Sequence, residues 1–448
     1  MNFDILPLLL TLAGGYFLIK LRFFFIIHPL RTIGRTMRAM KDERTARSFF
    51  LALAGTLGVG NVFGVAIGLL VGGAGSIFWL CISMLFAMVI KYSEVVISSD
   101  NLCHDTDTHG GFYYVIRSSF GRLGHVLSPL YALATLLISL VMGAALQTDA
   151  IRETASQIRE IPTPHLAIGF TLLTLLAIIG GANKIEKITS VVIPLTTVIY
   201  IFMTLIIIFL NIDSLPLVIE NVIFSALKPK SALGGVGAFL TSRAMKEGFA
   251  RGLLSNEAGA GTSSIAHARG GVLNPSTAGL FGILEVWFDT GIVCMLTGLS
   301  ILLSVPDLSL FDGGMHLVMY AVGTVFGEWG RVLASLLVFA FAFATVICWY
   351  YYGSESFSSL FGRRVRLLFL PLFLLAVFLG FFLDSYLLVS VTDVLMALAT
   401  TLTLSALIKN SDRVISLWES GGVIDSDKGR LRPFRLKGSV FSKGERRP

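Results

Sequence analysis

Long apolar stretches separated by short polar loops follow one another along most of this 448-residue chain. A helix needs about 20 apolar residues to cross a bilayer, and this criterion predicts about eleven spans. They run over Phe3–Ile19, Phe49–Leu70, Ser76–Ile97, Val126–Asp149, Leu166–Gly181, Ile188–Leu210, Gly234–His267, Thr277–Leu303, Arg331–Gly353, Leu367–Leu383 and Tyr386–Ile408. The pattern therefore predicts an all-α polytopic membrane protein, with a transmembrane domain over residues 1–409 and a basic tail over residues 410–448.

The composition favours the same class of protein. Hydrophobic residues make up 54% of the chain and charged residues only 14%, whereas soluble proteins carry about 25% charged residues. A soluble chain this apolar would lack the polar surface that keeps it dispersed. The net charge of +7 is explained by basic loops, so we expect a lipid bilayer and no nucleic acid as the partner.

Lysine and arginine residues are concentrated in alternate loops. Eight of them lie at residues 20–47, between the first and second spans. By alternation, residues 363–366 and the basic tail fall on the same side. Because cytoplasmic loops carry the excess of Lys and Arg, we expect a cell (inner) membrane protein with its N-terminus outside and its C-terminus in the cytoplasm. The tail is too polar to form a core and is expected to be solvated.

Two predicted spans contain residues that a plain membrane helix would not. The second has the sequence GVGN at residues 58–61, and glycine in a helix interior costs about 0.5–1 kcal/mol relative to alanine. The seventh is polar and glycine-rich over residues 251–264. Unwound backbone at membrane depth survives only where protein buries it or water lines it. Both segments are therefore predicted to be unwound and to border a cavity.

The spacing of these two breaks predicts an internal repeat. If the helix at residues 3–19 is an addition, the breaks fall in the first and sixth of ten remaining helices. An inverted repeat of five plus five helices, here residues 49–211 and 234–409, places its discontinuous helices in this way. Half-helix N-termini attract a carboxylate, and unwound carbonyls attract an ammonium group or a cation. A zwitterionic amino acid matches both ends.

Glycines also recur every four residues after the first break. They are Gly60, Gly64, Gly68 and Gly72. This spacing lets two helices approach closely, so we interpret the last three as packing residues. Packing does not account for Asn61.

Several motifs resemble those of the alanine or glycine:cation symporter family. They are GTLGVGNVFGVA, GGFYYVI, GAALQ, ARGLLSNEAGAGTSSIAHA, GLFGILEVWFDTGIVC and FAFATVICWYYYG, in this order along the chain. The resemblance covers residues 3–410. It implies a leucine-transporter-type fold with an extra N-terminal helix, and sodium-driven uptake of alanine, glycine or a close analogue by alternating access.

The resemblance also implies where substrate and ion bind. The matching substrate positions come from both breaks and from two further spans: Gly58, Gly60, Asn61, Gln147, Asn256, Ala258, Gly259, Gly261, Thr262 and Trp349. Trp349 is the bulky side chain that limits the pocket. The sodium site uses carbonyls of the first break, at Val59, and the hydroxyl of Thr345.

The chain departs from the family pattern near the implied ion site. The family usually has Thr where this chain has Val59, and two adjacent Thr where it has Ala344 and Thr345. Further departures are Ala144, Ser354, Met396 and Ala397. Because these departures remove hydroxyl groups that could bind sodium, they leave the identity of the coupling ion undecided. The alternative to sodium symport is a proton-coupled or uncoupled amino-acid permease.

Charged residues inside membrane spans usually face a partner or a cavity. Arg251 and Glu257 are expected to pair and pin the broken helix, the alternative being a gate or a proton-carrying carboxylate. Glu285 and Asp289 lie four residues apart on one helix face. They either share a basic partner or form a cation path, and we favour structural anchoring.

Two further polar features are given structural interpretations. Lys91 and Glu94 are expected to form a snorkelling pair near the cytoplasmic surface, and His267 is expected to cap the carbonyls that end its span. The sequence HDTDTH at residues 104–109 is interpreted as a solvated loop rather than a metal site.

The sequence does not favour other classes of function. It has no Ser/His/Asp set and no paired-carboxylate site of the kind that catalysis requires, so we expect no enzyme and no cofactor apart from the coupling sodium ion. A membrane sensor that binds an amino acid without moving it is a less favoured alternative. The expected partners are a small neutral amino acid, sodium and the bilayer, with no required protein partner.

Overall fold

The computed structural model describes residues 5–104, 110–158, 161–227, 242–270 and 274–420, and its regular secondary structure in these ranges is helical. The main helices are α1 Ile5–Lys20, α2 Pro29–Ala39, α3 Glu43–Thr56, α4 Phe63–Gly72, α5 Gly75–His104, α6 Phe112–Ser119, α7 Gly124–Ser156, α8 Thr163–Ile178, α9 Gly181–Leu210, α10 Leu215–Ala226, α11 Arg243–Asn256, α12 Ser264–His267, α13 Pro275–Ser304, α14 Gly314–Phe361, α15 Phe369–Gly380, α16 Ser385–Lys409 and α17 Ser411–Ser420. Short helices lie at Phe24–Ile27, Val59–Asn61, Ile212–Ser214, Ala268–Gly270, Leu308–Leu310 and Arg363–Leu368.

Six of these helices are long and apolar enough to cross a membrane: α5, α7, α9, α13, α14 and α16. The pair α3 and α4, bent by 57° where they meet, makes a seventh span. Shorter helices lie within the other predicted spans, at α1, α8, α11–α12 and α15. Residues 234–241, the beginning of the predicted seventh span, lie outside the described residues. The all-helical, multi-span architecture is therefore confirmed, and the count of eleven spans stays a prediction.

One group of helices packs around α5. Both α11 and α13 lie along it, because glycines allow close approach: a Cβ on Gly248 of α11 would lie 2.6 Å from the carbonyl oxygen of Ser76, and one on Gly279 of α13 would lie 2.4 Å from Val96. We call α3, α4, α5, α11, α12 and α13 the first helix group.

The predicted glycine ladder lies between α4 and α11. A Cβ on Gly64 would meet Leu254, and one on Gly68 would lie 3.0 Å from Arg251. A Cβ on Gly72 would lie 2.9 Å from Glu247. The ladder thus packs α4 against α11, which confirms its interpretation as a packing feature.

A second helix group consists of α7, α8, α14 and α15. Trp349 of α14 lies against Gly143 of α7, where a Cβ would come within 2.3 Å of the indole. Phe170 of α8 contacts Phe339 of α14 edge-on, with ring centroids 5.4 Å apart. Helix α9 joins the two groups, because it contacts α3, α13 and α14.

Irregular turns interrupt three of the long helices. Val141–Ala145 in α7 and Trp287–Cys294 in α13 are π-helical. Gly327 in α14 has φ of +63° and divides that helix into residues 314–326 and 328–361. The predicted span at residues 331–353 lies in the second part.

The beginning of the tail is packed rather than solvated. Helix α17 buries Val414 and Trp418, and Arg413 donates to both carboxylate oxygens of Asp100, at 2.8 and 2.7 Å. The prediction of a solvated tail is wrong for residues 411–420, because two apolar side chains one turn apart give this short helix a face to bury. Residues 421–448 lie outside the described ranges.

Candidate substrate and ion site

The first break lies between α3 and α4. After Thr56 the chain leaves the helix, and Gly58 has an extended backbone with φ −122° and ψ −160°. The Oδ1 atom of Asn61 accepts a hydrogen bond from the Gly58 N–H at 3.0 Å, which closes the turn locally. The GVGN sequence thus produces the predicted unwinding and takes backbone groups out of the helical ladder.

Side chains from α7 and α14 bond to these released backbone groups. Gln147 accepts from the Val59 N–H at 3.1 Å, through Oε1. The hydroxyl of Thr345 donates to the Leu57 carbonyl at 3.3 Å, and the Trp349 indole donates to the Gly55 carbonyl at 3.1 Å. Two helix groups therefore meet at the first break.

Gly58 is required by this close approach. A Cβ at this position would lie 2.7 Å from the Thr345 hydroxyl and 3.0 Å from the Gln147 Oε1 atom. The structure thus brings Gly58, Val59, Gln147, Thr345 and Trp349 together. Their roles in binding substrate and ion stay predictions. Ala344 beside Thr345 is fully buried and offers no side-chain oxygen.

The second break follows α11. Glu257 has φ of +54°, and Gly259 and Gly261 have φ of +93° and +73°, so the chain passes through the left-handed region that glycine tolerates. Asn256 closes the start of the break, because its Oδ1 accepts from the Ala258 N–H at 2.9 Å. The predicted unwinding is present over residues 257–263, between α11 and α12, whereas residues 251–256 remain helical at the end of α11.

The two breaks meet through one buried hydrogen-bond network. The Asn61 Nδ2 donates to Ser255 Oγ at 2.9 Å and also to the carboxylate of Asp289. Ser255 donates to Asp289 at 2.6 Å, and Thr290 donates to it at 2.8 Å. Asp289 is fully buried, and its described partners in this network are neutral donors.

The π-helical segments place two of these polar groups. The widened turn of α7 precedes Gln147, whose Nε2 donates to the carbonyl of Met142 inside it at 3.1 Å. The widened turn of α13 contains Asp289 and Thr290. Single π turns in long helices are frequent at functional sites, and both occur here beside a helix break.

Two predicted substrate residues of the second break face other helices, and a third bonds within the break. A Cβ on Gly259 would meet Thr400 of α16, and one on Gly261 would meet Tyr131 of α7. Thr262 donates to Glu257 at 2.5 Å. Asn256 instead adjoins the Asn61 network, because its Nδ2 donates to Thr290 at 3.0 Å. A role of Gly259, Gly261 and Thr262 in substrate binding stays a prediction.

The predicted ion pair of Arg251 with Glu257 is wrong. Arg251 lies 3.0 Å from Asp393 of α16 and 3.4 Å from Glu247. Six residues along a helix correspond to a rotation of about 240°, and Glu257 already lies in the left-handed turn. The two side chains therefore point to different neighbours.

Lys91 and Glu94 do not form a snorkelling pair. Both side chains are fully buried, since α5 is covered by α11 and α13. Lys91 lies 3.1 Å from Glu285 and donates to the Asn256 carbonyl at 2.8 Å.

Glu285 and Asp289 have separate partners. His267 Nε2 lies 3.0 Å from Glu285 instead of capping its own span, so Glu285 faces both Lys91 and His267. Glu285 is therefore anchored by basic groups, and Asp289 by neutral ones. Residues 105–109 of the histidine-rich loop lie outside the described residues.

Sequence reasoning missed Ser255, Thr290 and the central position of Lys91. Ser255 precedes Asn256 in a polar segment, and Thr290 follows Asp289. Their position next to a predicted residue is the feature of the sequence that could have indicated them. Nothing in the chain near Lys91 indicates that Glu285, far along the sequence, is its partner.

Comparison with known proteins gives a consistent family. The model of the sodium:alanine symporter family matches residues 1–420. An uncharacterized transporter of Haemophilus influenzae is 33% identical over 417 residues, which cover 90% of each chain. The sodium/alanine symporter AgcS of Methanococcus maripaludis is 29% identical over 391 residues, 83% of this chain and 84% of that protein.

Among solved structures, a manganese transporter of Eremococcus coleocola is similar, with a TM-score of 0.49 and 16% sequence identity. The similarity covers 84% of this chain and 76% of that one.

Proposed function

Since this chain belongs to the sodium:alanine symporter family, we propose that it carries a small neutral amino acid, alanine or glycine, into the cell together with sodium. The family is one of transporters, and the chain is not an enzyme. The observation that carries the proposal is the meeting of two helix breaks through Asn61 and Ser255, at 2.9 Å, with Gln147 and Thr345 bonded to the same region.

The proposed fold is of the leucine-transporter type, with five plus five helices and α1 as the addition. The breaks at α3–α4 and α11–α12 support it, because discontinuous helices at corresponding positions mark the two halves of an inverted repeat. In this fold the first and second helix groups rock against each other around a central site. The contacts of Gln147, Thr345 and Trp349 with the first break lie between the groups, so rocking would make and break them.

A small zwitterion fits this site chemically. The N-terminal end of α4 is the positive end of a helix dipole and suits a carboxylate. The C-terminal ends of α3 and α11 offer carbonyls to an ammonium group. Trp349 is fully buried beside Gly55 and Gly143. We propose that its bulk limits the size of the substrate side chain, which favours alanine or glycine.

We place the sodium ion beside the Leu57 carbonyl and the Thr345 hydroxyl. These oxygens approach within 3.3 Å of each other across the interface of the two helix groups, and hard cations prefer oxygen ligands. The carbonyl of Val59 adjoins them in sequence. A proton-coupled or uncoupled permease is the second candidate, favoured by the missing hydroxyls at Val59 and Ala344.

The proposed orientation has the N-terminus outside and the C-terminus in the cytoplasm. The basic residues before α3 and the packed helix α17 belong to one end of the bundle, since α2 contacts α13 near the beginning of α13, and α17 contacts α13 and α5. The positive-inside rule assigns this end to the cytoplasm.

The test is uptake of labelled alanine and glycine into proteoliposomes, first with a sodium gradient and then with a proton gradient alone. Accumulation driven by sodium is expected. Accumulation driven only by protons would replace sodium with the second candidate, and uptake of neither amino acid would refute the substrate assignment.

Two variants test the site in the same assay. Asn61→Ala and Gln147→Ala are expected to abolish uptake while keeping normal amounts of protein in the membrane, because each removes a side chain that bonds to the first break. Normal transport by both variants would show that the proposed site is wrong.

A further inference from the structure

Two buried carboxyl groups converge on the second break without a described ion-pair partner. Glu94 of α5 accepts from the Gly261 N–H at 3.1 Å, through Oε1. Glu257 accepts from the Thr262 hydroxyl at 2.5 Å, through Oε2. Because Gly261 and Thr262 are neighbours in sequence, both carboxyl groups lie at the same stretch of unwound backbone. We call Glu94 and Glu257 the carboxyl pair.

The second oxygen of each carboxyl group lacks a partner. Glu94 Oε2 and Glu257 Oε1 are buried and make no hydrogen bond in the described structure, and the two residues are 0% and 1% exposed. The hydroxyl of Thr400, which faces Gly259 from α16, is buried and unpartnered as well. Leaving a buried polar atom without a partner is costly, and more so when it is charged, so an ionised form of both carboxyl groups is disfavoured here.

The nearby basic side chains, Lys91 and His267, contact a third carboxylate, that of Glu285. Lys91 contacts Glu285 and the Asn256 carbonyl, and His267 contacts Glu285. Three glutamates therefore share one lysine and one histidine. Even with a charged histidine, at least one carboxylate has no cation to balance it, and a desolvated ion without a counter-charge is strongly disfavoured.

The other titratable groups around the carboxyl pair cannot supply that charge. They are Asp289 of α13, Tyr131 of α7, and Cys348 and Tyr352 of α14. These groups are neutral or anionic near neutral pH. The Tyr131 hydroxyl already donates to the Ala260 carbonyl at 2.6 Å.

We propose that the carboxyl pair is a proton-binding site that must hold a proton for transport. A proton taken from water binds one free carboxylate oxygen, and the resulting neutral O–H donates to an acceptor lining the break. Its loss leaves two anions in a buried segment. The inference rests on the proposed transport function, to which it adds a second cation site, apart from the one at Leu57 and Thr345.

The test measures exchange of labelled alanine in proteoliposomes with equal sodium on both sides, over a series of pH values. Wild-type exchange is expected to fall at alkaline pH, as the site loses its proton. Glu94→Gln and Glu257→Gln replace a protonated carboxyl by a neutral amide of the same shape, so both variants should keep exchange and lose most of the alkaline fall. Unchanged pH profiles in both variants would overturn the proposal.

A matched control removes a carboxylate that has its own cation. Glu355 lies 2.9 Å from Arg366, so Glu355→Gln should keep the wild-type pH profile. The assay is repeated at several sodium concentrations to separate the two cations. If the carboxyl-pair variants change the half-saturating sodium concentration and leave the pH profile intact, the pair binds sodium and the proton assignment is wrong.

Infrared spectra of the purified protein give a readout that does not depend on transport. The C=O stretching band of a protonated carboxyl group lies at a different infrared frequency from the bands of a carboxylate. The wild type should therefore show the protonated-carboxyl band near neutral pH. The double variant Glu94→Gln/Glu257→Gln should show a weaker band, because Asp289, buried among neutral donors, can contribute to it as well. Absence of the band in the wild type would overturn the proton site, whereas failure of the wild type to exchange either amino acid would overturn only the proposed function.

Discussion

At the scale of single residues, two neighbours in α14 differ by one hydroxyl group. Thr345 donates to the Leu57 carbonyl of the first break, whereas Ala344 is buried without a polar side-chain atom. Hard cations are held by oxygen ligands, so each oxygen at the proposed site should add to the affinity for sodium. The side chains at these two positions should therefore control sodium affinity.

Thr345→Val is expected to raise the sodium concentration for half-maximal alanine uptake by about tenfold or more, since tenfold corresponds to about 1.4 kcal/mol. Thr345→Ser keeps the hydroxyl and should stay close to the wild type. Ala344→Thr should raise sodium affinity, and Ala344→Val, which adds similar volume without an oxygen, is its control. Equal effects of Thr and Val at residue 344 would show that this position does not border the ion.

At the scale of helices, glycines decide how the first helix group is assembled. Helix α11 lies between α4 and α5, and it is crowded on both sides. The ladder residues Gly64 and Gly68 face it from α4, and its own Gly248 and Gly252 face α5. A helix that carries a functional break is thereby held by contacts too close for larger side chains, as in other tightly packed membrane helices.

Gly248→Ala is expected to destabilise the protein by about 1–3 kcal/mol, the usual cost of overpacking. Its Cβ would lie 2.5 Å from the Cβ of Trp79 and 2.6 Å from the Ser76 carbonyl oxygen. Gly169→Ala in α8 is the control, because nothing lies within 4 Å of its Cβ position and alanine favours a helix. Thermal unfolding in detergent should show a lower melting temperature only for Gly248→Ala; a similar melting temperature for both variants would contradict this packing.

At the scale of the whole molecule, charge is distributed unequally between the two ends. The segment before α3 is strongly basic, and its Lys41 is exposed. Helix α13 begins near this basic end of the bundle. The turn that follows its last residue, at the opposite end, contains the exposed Asp307. By the positive-inside rule, this asymmetry predicts the proposed orientation, with the N-terminus outside and the C-terminus in the cytoplasm.

Cysteine labelling tests this orientation. In intact cells, a membrane-impermeant thiol reagent should label Asp307→Cys and should label Lys41→Cys only after the membrane is opened. The native Cys294 and Cys348 are buried, and the unsubstituted chain gives the background. The reverse labelling pattern would place the N-terminus in the cytoplasm.

The sequence by itself determined the features that depend on local residue order. Apolar length predicts membrane helices, and Gly-Val-Gly-Asn beside a polar, glycine-rich segment predicts the breaks, because unwinding is a local property of the backbone. The glycine ladder and the family resemblance were likewise confirmed. The structure agrees with these predictions because a segment in lipid must hydrogen-bond its own backbone groups, and an apolar stretch does so by forming a helix.

Only the tertiary structure decided which polar groups pair. Arg251 meets Asp393 across 142 residues of sequence, and Lys91 meets Glu285 rather than Glu94. The apolar face of α17 is likewise buried because α5 packs beside it, which its own sequence does not indicate. In each case the partner depends on how neighbouring helices are rotated and packed, and neither rotation nor packing is encoded in the local spacing of charges.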